Sequence, residues 1–283
     1  MVKTGFRYGG LNWGAFLSYN FVGDNYFADM GFLQNIETVT DIFADTTFRQ
    51  GYHQMFNQLS HIFYMGKNSK LNTQRIAVSN NIRATPSKHL YYRRTELEYE
   101  MRFKDRSNLD FQLANNEVEL FSDFFYTDSD SLVQDRYNYT NLEIEYRSDS
   151  RKTLGYETRL IFGEFYNGMR TSIRVGANYR TRPWGNFGVR MEYNKLTFPE
   201  PFADVDLLLI SPRVEINFSK SIFWTTFLQY NTQADNFNIN SRLQWRFKPM
   251  SDLFLVYTDN YAVEVFGKKN RAIVFKMNYW LNI

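Results

Sequence analysis

Apolar and polar residues alternate along most of this chain, and no other feature restricts its fold as tightly. In "NFNINSRLQWRFK", Phe237, Ile239, Leu243, Trp245 and Phe247 take one phase. Asn238, Asn240, Arg242, Gln244, Arg246 and Lys248 take the other. Successive side chains of a strand point to opposite faces, so a period of two writes one apolar and one polar sheet face. The pattern recurs in "TELEYEMRFK", where Leu97, Tyr99, Met101 and Phe103 oppose Glu96, Glu98, Glu100, Arg102 and Lys104. Leu142, Ile144 and Tyr146 oppose Glu143, Glu145 and Arg147; Ile173, Val175 and Tyr179 oppose Arg174, Asn178 and Arg180. Arg190 and Glu192 share the polar phase of their stretch, as Arg213 and Glu215 do between Val214 and Ile216. The final stretch sets Phe275, Met277, Tyr279, Leu281 and Ile283 against Lys276, Asn278 and Asn282. Helical periodicity is hard to find anywhere.

Counted back from the C-terminus, strands are expected near 271–283, 252–262, 236–248, 222–231, 206–218, 185–196, 170–181, 152–164, 137–147, 107–126, 89–104, 71–84, 52–66 and 34–46. That is about fourteen, within a range of 12–16, and a hairpin near 3–22 would give about sixteen. The connectors alternate in character. "KPMSD", "SKS", "TRPWGN", "SDSR", "KDRSN" and "GKNSK" are tight, whereas "VEVFGKKN", "TFPEPFADVD" and "TDSDSLVQDR" are longer or more irregular. Short turns at one end and longer loops at the other are the layout of outer-membrane barrels.

Which face points outward decides between a soluble sheet protein and a membrane barrel, and alternation alone fits both. The strands are long, often 11–13 residues, against ~5–6 in ordinary globular sheets, and ~9–11 tilted residues cross a bilayer. The 27 Phe, 20 Tyr and 5 Trp make up 18% of the 283 residues, enough to furnish the aromatic girdles of a barrel. No blade repeat of a propeller is visible. The chain also finishes in an amphipathic stretch, "YWLNI", suited to pairing with a first strand. These points favour an all-β, transmembrane, antiparallel up-and-down β-barrel, with residues 1–33 as an N-terminal hairpin or lead-in and 34–283 as the barrel. Mean hydropathy is −0.48, and no run approaches the ~18 apolar residues of a membrane helix. "MVKTGFRYGG" has no apolar leader core; for an exported protein this implies a leader already removed or a longer precursor.

The stretches "NFNINSRLQWRFKPMSDLFLVYTDNY", "RAIVFKMNYWLNI" and "GDNYFADMGFLQN" resemble a domain family of unknown function found in Bacteroidota-type outer-membrane proteins. The resemblance covers most of the chain and is most specific at the C-terminal motif. It implies a C-terminal barrel that in full-length members usually follows a domain similar to family 9 carbohydrate-binding modules. Such members are sometimes labelled hydrolases. The N-terminal module is missing from this sequence, and no catalytic set comes with the resemblance.

Candidates for chemistry are few. His53 and His61 lie eight apart on one expected strand, ~26 Å along it, too far to share a metal, and His89 falls in a loop. Asp123, Asp128, Asp130 and Asp135 gather in an expected loop, but the glycine and terminal glutamate of a calcium loop are missing. Glu96, Glu98 and Glu100 share a face with Arg102 and Lys104, which reads as charge balance rather than acid–base machinery. "GNFG" and "YGGLNWG" have no phosphate-loop spacing and read as strand kinks. The absence of cysteine excludes disulfides and thiolate metal sites. A net charge of +3 and scattered basic residues give no nucleic-acid signature.

The expectation is therefore a non-enzymatic outer-membrane protein, without cofactor or metal, that anchors or scaffolds an envelope complex or forms a narrow, largely occluded channel. Its partners would be outer-membrane lipid, the barrel-assembly machinery and other outer-membrane proteins. Glu96, Glu98, Glu100, Arg102, Glu143, Glu145, Arg174, Arg180, Arg190, Glu192, Arg213, Glu215, Arg242 and Arg246 would line the lumen. Leu97, Tyr99, Phe103, Leu243, Trp245, Phe247, Phe275 and Tyr279 would face lipid. The alternatives are a barrel hydrolase acting on surface glycan or lipid, and a soluble sugar-binding β domain.

Overall fold

The computed structural model describes residues 1–26, 37–41, 46–126, 130–262 and 267–281. The chain is all-β, and among the described residues there is no helix. Among the described residues nineteen strands follow one another: β1 (Val2–Gly9), β2 (Trp13–Val22), β3 (Glu37–Asp41), β4 (Thr46–Gln50), β5 (Tyr52–Tyr64), β6 (Leu71–Ala84), β7 (Leu90–Phe103), β8 (Asn108–Glu119), β9 (Phe124–Phe125), β10 (Ser131–Leu132), β11 (Arg136–Arg147), β12 (Leu154–Phe165), β13 (Gly168–Thr181), β14 (Gly185–Thr197), β15 (Val205–Asn217), β16 (Ile222–Asn231), β17 (Asn236–Lys248), β18 (Ser251–Tyr261) and β19 (Lys268–Asn278).

Fifteen of these form one up-and-down antiparallel sheet in which each strand neighbours the next, in the order β1-β2-β5-β6-β7-β8-β11-β12-β13-β14-β15-β16-β17-β18-β19. The pairs β3–β4 and β9–β10 are separate two-stranded ladders in connectors. Alternation located the sheet strands closely: β16 and β17 start and stop where expected. Three expectations need correction. The expected strand 34–46 does not join the sheet; its described part, β3, pairs with β4 instead. The expected strand 107–126 stops at Glu119, where the alternating "NLDFQLANNEVE" gives way to "LFSD" and the short β9. The last strand ends at Asn278, so Tyr279 lies beyond it.

The chain divides into two compact units. The first comprises Met1–Ile144, Ile161–Thr171 and Leu196–Asp204; the second comprises Glu145–Leu160, Ser172–Lys195 and Val205–Ile283. In the first unit β2 pairs with β5, so the N-terminal hairpin is continuous with the sheet. Gly163 has φ +128°, and a Cβ there would lie 2.7 Å from the Thr140 carbonyl. Only glycine tolerates both. A compact aromatic group forms over the connectors of this unit. Tyr126 packs 4.7 Å from Phe198, and its hydroxyl donates to the Ala203 carbonyl at 3.2 Å. Leu132 is fully buried nearby in sequence. Burial raises the Tyr126 phenol above its ordinary value, and the Asp130 carboxylate adds to the effect.

Candidate functional site

The sheet shows what ordinary globular folds do not: its apolar face stands exposed. In the first unit Leu59, Val78, Leu97 and Leu113 stand directly opposite one another across β5, β6, β7 and β8. Leu59 is 53% exposed, Val78 45%, Leu97 47% and Leu113 46%. In the second unit Ile216, Trp224, Leu243, Leu255 and Phe275 make the equivalent row across β15 to β19. Leu243, Leu255 and Phe275 are exposed there, as is Trp245. Tyr99 and Phe103 share the phase of Leu97 but are half-buried; the Tyr99 hydroxyl donates to Gln74 at 2.9 Å. Phe247 stacks on Tyr279, whose hydroxyl accepts from Lys248 Nζ at 3.2 Å. Soluble monomers rarely expose contiguous apolar patches beyond a few hundred Å².

His53 and His61 belong to this same face. The His61 ring sits 4.5 Å from Trp13, and His53 stacks 4.6 Å from Phe21 while sharing a 2.7 Å hydrogen bond with Tyr19. They are neighbours of aromatic rings on an apolar surface, and no group of metal-ligating side chains occurs among the described residues. His89 lies in the β6–β7 connector, where its Nε2 meets the Glu119 carboxylate at 2.9 Å. The acidic connector is turned inward to backbone: Asp123 accepts from the Gln134 amide and Asp135 from the Arg136 amide. Asp128 lies outside the described residues.

The polar face is satisfied from within. Glu98 pairs with Arg75 at 2.8 Å, Glu96 with Arg94 at 2.7 Å, and Glu100 with Arg102. Asn20, Gln54 and Asn81 continue the network as a chain of amides. Glu100 thus takes Arg102 of its own strand, while Glu98 takes Arg75 of β6 and Glu96 takes Arg94, two arginines not matched to them in the sequence. In the second unit Arg174 pairs with Glu192 at 2.8 Å, Arg213 with Glu215 at 2.5 Å, Arg147 with Glu145 at 3.3 Å and Arg246 with Asp252 at 3.2 Å. Glu143 also has a partner, whereas Arg242 is exposed and makes no ion pair among the described residues. Half-exposed pairs contribute only ~0–1 kcal/mol each, so their effect is to neutralise a face rather than to hold the sheet together.

One part of that face opens into a recess of about 460 Å³ in the second unit. Its floor is cleared by Gly155 on β12, Gly176 on β13 and Gly188 on β14. The glycines let side chains lie flat across neighbouring strands. A Cβ on Gly176 would sit 2.9 Å from the Glu157 carboxylate, and one on Gly188 3.3 Å from the Asn178 amide oxygen. Over Gly176, Arg190 of β14 reaches Glu157 of β12 at 3.1 Å, an ion pair spanning a whole strand. Neither Gly185 nor Gly188 has a positive φ; Gly188 removes bulk at the recess, and a Cβ on Gly185 would sit 2.7 Å from the Glu215 carbonyl. Hydropathy is blind to this role, although glycines recurring on one phase of three successive strands were a visible signal.

A second cluster lies on the exposed face itself. Asp259 of β18 is fully buried, covered by its own neighbours. Its Oδ2 accepts from the Tyr257 and Tyr261 hydroxyls, both at 2.6 Å, and from Arg271 at 2.9 and 2.7 Å. Its Oδ1 has no partner. Asp259 falls on the apolar beat of "LFLVYTDNY", a detectable departure that sequence reading passed over.

Comparison with known protein families and with curated proteins returns no match to this chain.

Proposed function

We propose that this chain is an integral outer-membrane β-barrel without enzymatic activity, serving as an anchor or scaffold in an envelope assembly, with a largely occluded interior. The observation that carries the reading is the exposure of the sheet's apolar face. Rows of leucine, valine, tryptophan and phenylalanine stand exposed while the opposite face is neutralised by its own ion pairs. A lipid environment stabilises that arrangement, since hydrocarbon solvates the apolar rows and every strand bonds to its neighbours. β6, β7 and β13 have 14 residues each, more than the ~9–11 needed to cross. The connectors at 10–12, 104–107, 182–184 and 249–250 are tight and the longest described one, 120–135, lies at the other end, where the turns at 166–167 and 232–235 are short as well.

Occlusion is supported by the size of the ring and by its contents. Porins with an aqueous channel have ~16–18 strands, against 15 here, and paired Arg and Glu side chains fill the polar face. Bacterial single-chain barrels carry even counts. The 15 strands of the sheet depart from that pattern. Partners under this reading are outer-membrane lipid, the insertion machinery and neighbouring envelope proteins. The test is fractionation with detergent phase separation, followed by gel migration with and without heating. A detergent-phase protein with heat-modifiable migration is expected; a protein monodisperse in plain buffer refutes the reading.

A further inference from the structure

We propose that the glycine-floored recess of the second unit is a binding site for an oxyanion carried on a ring-sized organic group. The inference stands on the geometry of that unit and holds whether or not the strands cross a membrane. Four guanidiniums, from Arg147, Arg180, Arg190 and Arg213, line the recess against one carboxylate, Glu157. Three of the four already share a carboxylate: Arg147 with Glu145, Arg190 with Glu157 and Arg213 with Glu215. Arg180 differs. Its Nη2 donates to the Ser150 carbonyl, and it makes no ion pair among the described residues. One positive charge is left over, at the edge of an open hollow.

A guanidinium presents five donors in a planar fork, so the paired arginines keep N–H groups to offer a ligand. Carboxylate, sulfate and phosphate have the geometry that such forks bind best. Size argues against a bare ion. The hollow of about 460 Å³ falls within the ~300–1,000 Å³ of sites that take organic molecules. Its wall includes Phe227, which stands directly opposite Arg213. Phe227 offers a face for a ring, and Arg180 the charge that no carboxylate neutralises, within the lining of one recess. The Asn178 amide, held flat over Gly188, adds a neutral polar contact. Gly176 is the residue the recess depends on most, since any side chain there meets Glu157 within 2.9 Å.

The test is calorimetric titration of the purified full chain at fixed ionic strength with phenyl phosphate, phenyl sulfate and benzoate, with phenol as the neutral control and inorganic phosphate as the ringless one. At least one ring-borne anion should bind about tenfold tighter than both controls, and the tightest of the three identifies the anion. Arg180→Gln should weaken that binding by about tenfold, the scale of one charge-assisted hydrogen bond. Gly176→Leu should abolish it without altering the charge, with unchanged gel migration showing that the fold persists. Should that variant fail to fold, the Arg180→Gln arm decides alone. The proposal is overturned if no ring-borne anion exceeds phenol, if inorganic phosphate binds as tightly as phenyl phosphate, or if Arg180→Gln binds like the parent protein.

Discussion

Leu243→Arg and Gln244→Arg are adjacent substitutions with the same new side chain, and the proposed membrane setting separates them sharply. β17 has 13 residues. At ~3.3 Å each and a tilt of ~45° they cover roughly 30 Å of membrane normal, about the thickness of the hydrocarbon core. Leu243 lies one residue from the centre of that strand, within ~3 Å of the midplane by the same geometry. It is exposed, between Trp224 and Leu255. An arginine on the lipid face at the midplane costs ~2–4 kcal/mol, and ~3 kcal/mol is a loss of more than about a hundredfold in the folded-to-unfolded ratio. Gln244 is on the other face and donates to Asp252 at 2.8 Å. A guanidinium there keeps the same carboxylate, so its effect is within ~1 kcal/mol. Equilibrium urea unfolding in lipid vesicles, read by heat-modifiable migration, measures both. Equal midpoints for the two variants would refute the facing, and so would a Leu243→Arg protein that turns soluble and stable without detergent.

The purified protein in planar bilayers should give silence or rare flickers; large, stable, ohmic conductance would overturn the occluded interior. The Tyr126 phenol has its value raised by burial and by Asp130. Its neutral form is favoured by the fold, so the connector packing it supports is fully present below the ordinary tyrosine value of ~10 and is lost as pH rises through the higher folded value. Phenolate absorbance in Tyr126→Phe against the parent should show one late-titrating group missing; identical alkaline titrations would count against the assignment.

The strands, and which residues of each share a face, were legible because both follow from a period of two, which survives without knowledge of neighbours. What went unread depended on register. Arg75 lies opposite Glu100 in the ladder yet reaches Glu98, and no single strand discloses which residue of the next will stand beside it. The recess was hidden for a related reason: Gly155, Gly176 and Gly188 matter only as a set, and that set exists only once three strands are aligned. The fate of segment 34–46 was hidden because short alternation fits a connector ladder as well as a sheet strand.

The Asp259 cluster has a consequence for assembly. Ile273, Phe275 and Met277 on β19 are nearly interchangeable partners for the leucine and tyrosine opposite them. A slip of β19 by two residues would keep every apolar side chain on its own face at little loss. It would also carry Arg271 away from Asp259: in one direction Ile273 would stand opposite the covered carboxylate, leaving two phenols and no cation, and in the other Lys269 would, without the planar fork that reaches Asp259 and Tyr261 together. Arg271 therefore acts as an index pin: it penalises the even-numbered slips to which hydrophobic patterning is indifferent.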